Sequence, residues 1–99
     1  MVTAHAFSAG LWQYDGEAGW FFVSLPPELA DAIEEENGPP AKGFGSVKVS
    51  VRIGSSRWAT SVFPDRARGT YLLPVKKSVR LNEGLEAGDT IQVELSVLD

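Results

Sequence analysis

Gly19-Trp20-Phe21-Phe22-Val23-Ser24-Leu25-Pro26 in the first half of the chain and Gly69-Thr70-Tyr71-Leu72-Leu73-Pro74 in the second are two copies of one pattern. Each runs from a glycine through a short apolar strand to Leu-Pro, and each is followed by a helix-like stretch. After the first comes Val47-Lys48-Val49-Ser50-Val51-Arg52-Ile53, and after the second Ile91-Gln92-Val93-Glu94-Leu95-Ser96-Val97. Both alternate with a period of two, which puts every apolar side chain of a strand on one face. A strand-like stretch also precedes each copy, Ala6 to Tyr14 and Arg57 to Phe63. The chain therefore reads as one domain, residues 1–99, built from two ββαβ repeats over about 6–53 and 57–98. The expected fold is mainly β in a small α+β protein: a closed six- to seven-stranded β-barrel with two short helices and internal pseudo-twofold symmetry.

The local chemistry fits that plan. In the first strand Phe7, Ala9 and Leu11 share one face and Ser8, Gly10 and Trp12 the other. Asp15-Gly16-Glu17-Ala18-Gly19 is a turn cluster of the kind hairpins need. Trp20 to Leu25 is apolar on both faces apart from Ser24, so a central strand covered on both sides is expected. Pro26 and Pro27 suit a first helical turn, where a missing N–H costs nothing. Leu29, Ala32 and Ile33 form the helix's apolar stripe. Asn37-Gly38 and Pro39-Pro40 stop it. In the second helix Val75 and Val79 supply the stripe, Gly84 the stop, and Gly88-Asp89 the turn into the last strand.

Composition bounds the function. The chain has 99 residues, no cysteine, one histidine and a net charge of −4. Disulfides, thiolate catalysis and cysteine metal sites are excluded. No apolar run reaches the roughly 18 residues of a membrane span, and Met1 to Leu11 lacks the basic start and apolar core of a signal peptide. A soluble, cytoplasmic protein is expected, monomeric by default because a duplicated chain can close its own barrel. The charge is unevenly spread: residues 1–47 sum to −6, residues 48–80 to +7 and residues 81–99 to −5.

Two resemblances follow from the motifs. Leu11-Trp12, Gly19-Trp20, Leu25-Pro26, Trp58-Ala59-Thr60-Ser61-Val62-Phe63-Pro64, Tyr71-Leu72-Leu73-Pro74-Val75-Lys76-Lys77 and Gly88-Asp89 together resemble a small bacterial and archaeal barrel domain, the domain-of-unknown-function family nineteen-oh-five. Its members occur alone or ahead of a YdeI/OmpD-associated domain. The resemblance implies a small barrel with two helices and no assigned reaction. More loosely, Leu-Pro, helix, Gly-Asp and strand resemble the half-unit of the AbrB/MazE swapped-hairpin transcription factors. That implies nucleic-acid binding as an alternative, although the acidic first half departs from the basic hairpins of those dimers.

The candidate site is the basic, hydroxyl-bearing middle: Arg52, Arg57, Trp58, Thr60, Ser61, Lys76 and Lys77. Trp58 offers a stacking face, and the bases can hold a carboxylate or phosphate. Strand periodicity points Arg57 and Trp58 apart, so these residues need not form one surface. The expected function is a non-enzymatic module that binds a small anion or a protein domain. An enzyme is the third class, since the chain carries no catalytic residues in a recognisable arrangement. Neither a cofactor nor a metal site is expected: Gly43-Phe44-Gly45 lacks the rest of a phosphate loop, and Glu34-Glu35-Glu36 reads as a solvated helix end. His5 reads as a tail residue.

Overall fold

A computed structural model describes residues 4–15, 19–37 and 45–98. The helix stop at Gly38 and Pro39-Pro40, the middle of the Asp15–Gly19 turn and Gly43-Phe44 lie outside the described residues. The elements run β1 (Ala4–Gln13), β2 (Phe21–Ser24), α1 (Pro27–Asn37), β3 (Val47–Ile53), β4 (Ser56–Asp65), β5 (Thr70–Pro74), α2 (Lys77–Glu83) and β6 (Thr90–Val97). This is ββαβ twice. The strands close a barrel in the order β1-β2-β5-β4-β3-β6, and every pair is antiparallel.

Exchanging β1 with β4, β2 with β5 and β3 with β6 leaves that order unchanged. The register obeys the same exchange. Val51 of β3 is paired with Leu95 of β6. On the far side of Val51 lies Trp58 of β4, and on the far side of Leu95 lies His5 of β1. Trp58 and His5 are thus equivalent positions, and Thr60 and Phe7 follow two residues on.

The alternating strands fill the interior as their period dictates. Val49, Val51 and Ile53 of β3 and Ile91, Val93, Leu95 and Val97 of β6 are buried, while Lys48, Ser50, Arg52, Gln92 and Glu94 are exposed. Leu11, Val23, Leu25, Val62, Tyr71 and Leu73 complete the barrel core. α1 adds Leu29, Ala30 and Ile33, with Ala32 only half-buried, so its stripe is one residue broader than expected. α2 adds Val79, with Val75 just ahead of it. α2 ends at Gly84, whose φ of +65° is the left-handed conformation glycine accepts most cheaply. Its short length agrees with the polar Asn82-Glu83 that follow Leu81.

One polar clasp joins the halves, and another ties the turn between them to α2. The Thr70 hydroxyl donates to the Leu25 carbonyl at 2.7 Å, and the Leu25 amide donates to the Tyr71 carbonyl at 3.0 Å. At the β3–β4 turn, the Ser55 and Ser56 hydroxyls donate to Glu83 of α2 at 3.0 and 2.7 Å. The Ser56 and Ser55 hydroxyls hold the Glu83 carboxyl below the ordinary carboxylate range. The buried Tyr71 hydroxyl, by contrast, finds no hydrogen-bond partner among the described residues, and burial, then the nearby Glu34 charge, pushes its ionisation up.

β2 departs from the expectation of a doubly covered strand. It is central, flanked by β1 and β5, but its outer face is only partly covered, with Phe22 half-buried. Phe22 sits there among Trp12 (5.3 Å between centroids), Trp20 (5.9 Å, stacked) and Tyr14 (6.3 Å, edge-on). Trp20 is 54% exposed and Tyr14 50%. In a small barrel no second layer covers the outside, so an apolar run on both faces of a strand marks a surface patch. His5 is also no tail residue: it is half-buried in β1, opposite Leu95.

Candidate functional site

β4 is long and its neighbour β5 is short. β5 pairs with β4 only at Phe63, Pro64 and Asp65, then reaches Pro74, which has no N–H to extend a ladder. Residues 56–62 of β4 therefore pair with β3 alone among the described residues. The chain from Pro74 through α2 runs across the resulting gap. Between them lies a groove of about 410 Å³.

The groove gathers side chains of two kinds. Trp58 and Thr60 come from the inward face of β4, where Val62 is buried, and Ala59 and Phe63 from its outer face. Trp20 and Phe21 close one end. Lys76, Lys77 and Arg80 line the α2 side, and no carboxylate lines it among the described residues. The Lys76 ammonium is 6.0 Å from the Trp58 ring centre, at the outer limit of cation–π attraction. The Arg80 guanidinium lies 3.8 Å over Phe21, and its Nε donates to the Val75 carbonyl at 3.2 Å. That anchors the guanidinium in one orientation and leaves its terminal N–H groups to the groove.

Of the sequence candidates, Trp58, Thr60, Lys76 and Lys77 line this groove, and Arg52, Arg57 and Ser61 do not. Arg52 and Arg57 are cross-strand neighbours on the exposed face of β3 and β4, and Arg52 lies 3.9 Å from Glu94. Ser61 is paired with Lys48. The basic middle segment thus divides into two surfaces, as the alternation of β4 requires. Arg80, Trp20 and Phe21 were missed. The spacing of Lys76 and Arg80, one helical turn apart, could have found Arg80. Trp20 and Phe21 carried no signal beyond strand hydrophobicity.

The symmetry-related position also opens, to about 500 Å³, but its chemistry differs. There Ala4, His5, Ala6 and Phe7 of β1 face Pro26, Glu28, Leu29 and Ala32. His5 stands where Trp58 stands in the other half, and Glu28 is the charge on the helix side.

The cationic groove can bind an anion with a flat apolar body: cations for the charge, rings for the body. Among the described residues, Thr60 has neither imidazole nor carboxylate beside it in the lining, and no cluster able to hold a metal occurs. No helix among them is long and apolar enough to cross a membrane.

The model of one family, the domain of unknown function DUF1905, matches residues 7–95. That span contains the whole barrel apart from the first residues of β1 and the last of β6, and it includes every residue of the cationic groove. No curated protein matches the chain. The chain belongs to the DUF1905 family.

Proposed function

We propose that this member of the DUF1905 family is a non-enzymatic binding module that holds an anionic ligand in the groove between β4 and α2. One observation carries the reading: Lys76, Lys77 and Arg80 converge on Trp58, Trp20 and Phe21 with no acidic side chain in the lining among the described residues. In a chain of net charge −4, three cations kept together without acid counterparts mark a place where negative charge is welcome. Trp58 and Phe21 give a rigid apolar wall, Arg80 a pre-oriented fork, and the two lysines mobile charges at the rim. The volume of about 410 Å³ lies in the range of small-molecule sites.

The test is an amide and indole NMR titration with a panel of aromatic carboxylates and aryl phosphates, at low and physiological salt. Shifts are expected at the Trp58 indole and at Lys76 to Arg80, weakening as salt rises. Lys76→Glu with Lys77→Glu should remove them, and Arg57→Glu, on the other face, should not. Shifts that survive both lysine reversals, or that never include this groove, would end the reading.

A further inference from the structure

We infer that the anion this groove takes is part of an extended acidic segment of a partner protein, which adds as a strand to the free edge of β4. The inference rests on the anion-site reading and names its partner.

The backbone is the first argument. Strand β4 pairs with β5 only at residues 63–65, and residues 56–62 pair with β3 on one side and with no strand on the other among the described residues. In an antiparallel strand about half the N–H and C=O groups of such a stretch point to the open side. An unpaired edge is a template for another chain. Here the edge does not face open water. It forms the wall of the cationic groove, with α2 as the opposite wall. A small free anion would use the cations and leave the edge unpaired, whereas an extended peptide uses both.

The side chains give the second argument. A strand laid beside β4 alternates its side chains between two faces. On the inward face they meet Trp58, Thr60, Lys76 and Arg80; on the outer face they meet Phe63 and Trp20. Phe63 and Trp20 belong as well to the outer aromatic patch with Tyr14, Phe22 and Leu72. The site therefore calls for a segment in which acidic and apolar residues alternate, the acids toward the lysines and the apolar residues toward Trp20 and Phe63. Charge complementarity selects that pattern over a basic or neutral strand. The unpaired edge favours a peptide over single-stranded nucleic acid, which would use the rings and cations but not the ladder.

The experiment uses short blocked peptides alternating glutamate with leucine, valine or phenylalanine, titrated into the full chain. Two N-methylated versions accompany each, one methylated at the odd residues and one at the even. Only one parity turns its N–H groups to β4. The plain peptide should bind and shift the amides of residues 57–62. One methylated parity should bind comparably and the other roughly tenfold or more weakly, the loss expected for one or two ladder bonds. If both parities bind as the plain peptide does, strand addition is overturned while the anion site stands. If neither the peptides nor the aromatic carboxylates and aryl phosphates touch Lys76, Lys77 and Arg80, the anion reading falls and takes the inference with it. Single-stranded DNA shifting the same residues, with no peptide doing so, would also overturn it.

Discussion

The two mouths of the barrel share a backbone and differ in chemistry. Each lies where a long first strand outruns its neighbour and a Leu-Pro corner leads into a helix. In one, Trp58 and Thr60 face Lys76, Lys77 and Arg80. In the other, His5 and Phe7 face Pro26, Glu28 and Leu29. A further difference lies at the corner itself. Helix α1 begins one residue after Pro26, whereas α2 begins three residues after Pro74. The added length is where Val75 and Lys76 sit, so one corner has room for a cation that the other lacks. Fold requirements act on both mouths alike, so what differs between them reflects something other than folding.

The strongest way to test that division is to cut the core equally in both halves. Leu25→Ala and Leu73→Ala remove equivalent side chains, 2% and 0% exposed. Each should cost about 2–5 kcal/mol, read as a lowered urea midpoint at unchanged slope. A large inequality between them would break the symmetry at the level of packing.

The β3–β4 turn is where the symmetry has no counterpart, because nothing described after β6 repeats it. Gly54 there has φ +58°, and a Cβ on it would collide with the Glu83 carboxylate. Gly54→Ala should cost about 1–2 kcal/mol from backbone strain alone, with further loss as Ser55 and Ser56 lose their acceptor. Thermal melts of Gly54→Ala beside Gly69→Ala separate the two contributions, since Gly69 has a similar φ of +68° and open space around it.

For the mouths themselves, Lys76→Glu with Lys77→Glu should weaken anion binding at least about tenfold, a loss near 1.4 kcal/mol. Glu28→Lys, in the other mouth, should leave it unchanged. Calorimetric titration with the best aromatic carboxylate reads both. An effect of equal size from Glu28→Lys would mean that the anion senses net charge, not one groove.

Smaller effects sharpen the contrast between the central strands. Tyr71 of β5 occupies the place of Val23 in β2, each lying two residues before Leu-Pro. Its buried hydroxyl is without a partner among the described residues, so Tyr71→Phe should be neutral or stabilise by up to about 1 kcal/mol. A clear loss of stability would reveal a role for the hydroxyl.

The least effect concerns acid. Arg68 above all holds Asp65 below its ordinary value, and the Ser56 and Ser55 hydroxyls do the same for Glu83. As pH falls, the unfolded chain takes up protons at these groups before the folded one does. Their stabilisation is complete above the ordinary carboxylate range and is lost as pH falls through the depressed values. Asp65→Asn with Glu83→Gln should flatten that part of the stability profile. Both groups belong to the second half, so acid should loosen the β3–β4 and β4–β5 turns first, which hydrogen exchange would resolve.

Much of this architecture was legible because it rests on alternation. Val47 to Ile53 could be placed residue by residue, since a wrong face would bury Lys48 and Arg52. The first Leu-Pro corner and Gly84 announced two helix limits through backbone chemistry, whereas Pro74 ends β5 and α2 starts only at Lys77. β2 misled because hydrophobicity does not say what covers a side chain, and Phe22 and Trp20 turned outward to each other. Of the twelve described residues that line the groove, four were legible: Trp58, Thr60, Lys76 and Lys77. Arg52 and Arg57 were drawn in by proximity along the chain, which a strand's period of two undoes. Arg80 joined through helix geometry and Phe21 through strand register, and neither is visible in charge or composition.

The pairing order carries one more consequence. β3 has only β4 and β6 as neighbours, and β6 has only β1 and β3. The last strand of each ββαβ unit thus finds no partner in its own unit and is completed by the other. A chain severed between Gly54 and Ser55 would yield two pieces that are each incomplete and mutually required, so their refolding should be a second-order reaction. Ala4 already lies beside Ser96, so the cut ends could equally serve as the new termini of a permuted chain with the same barrel.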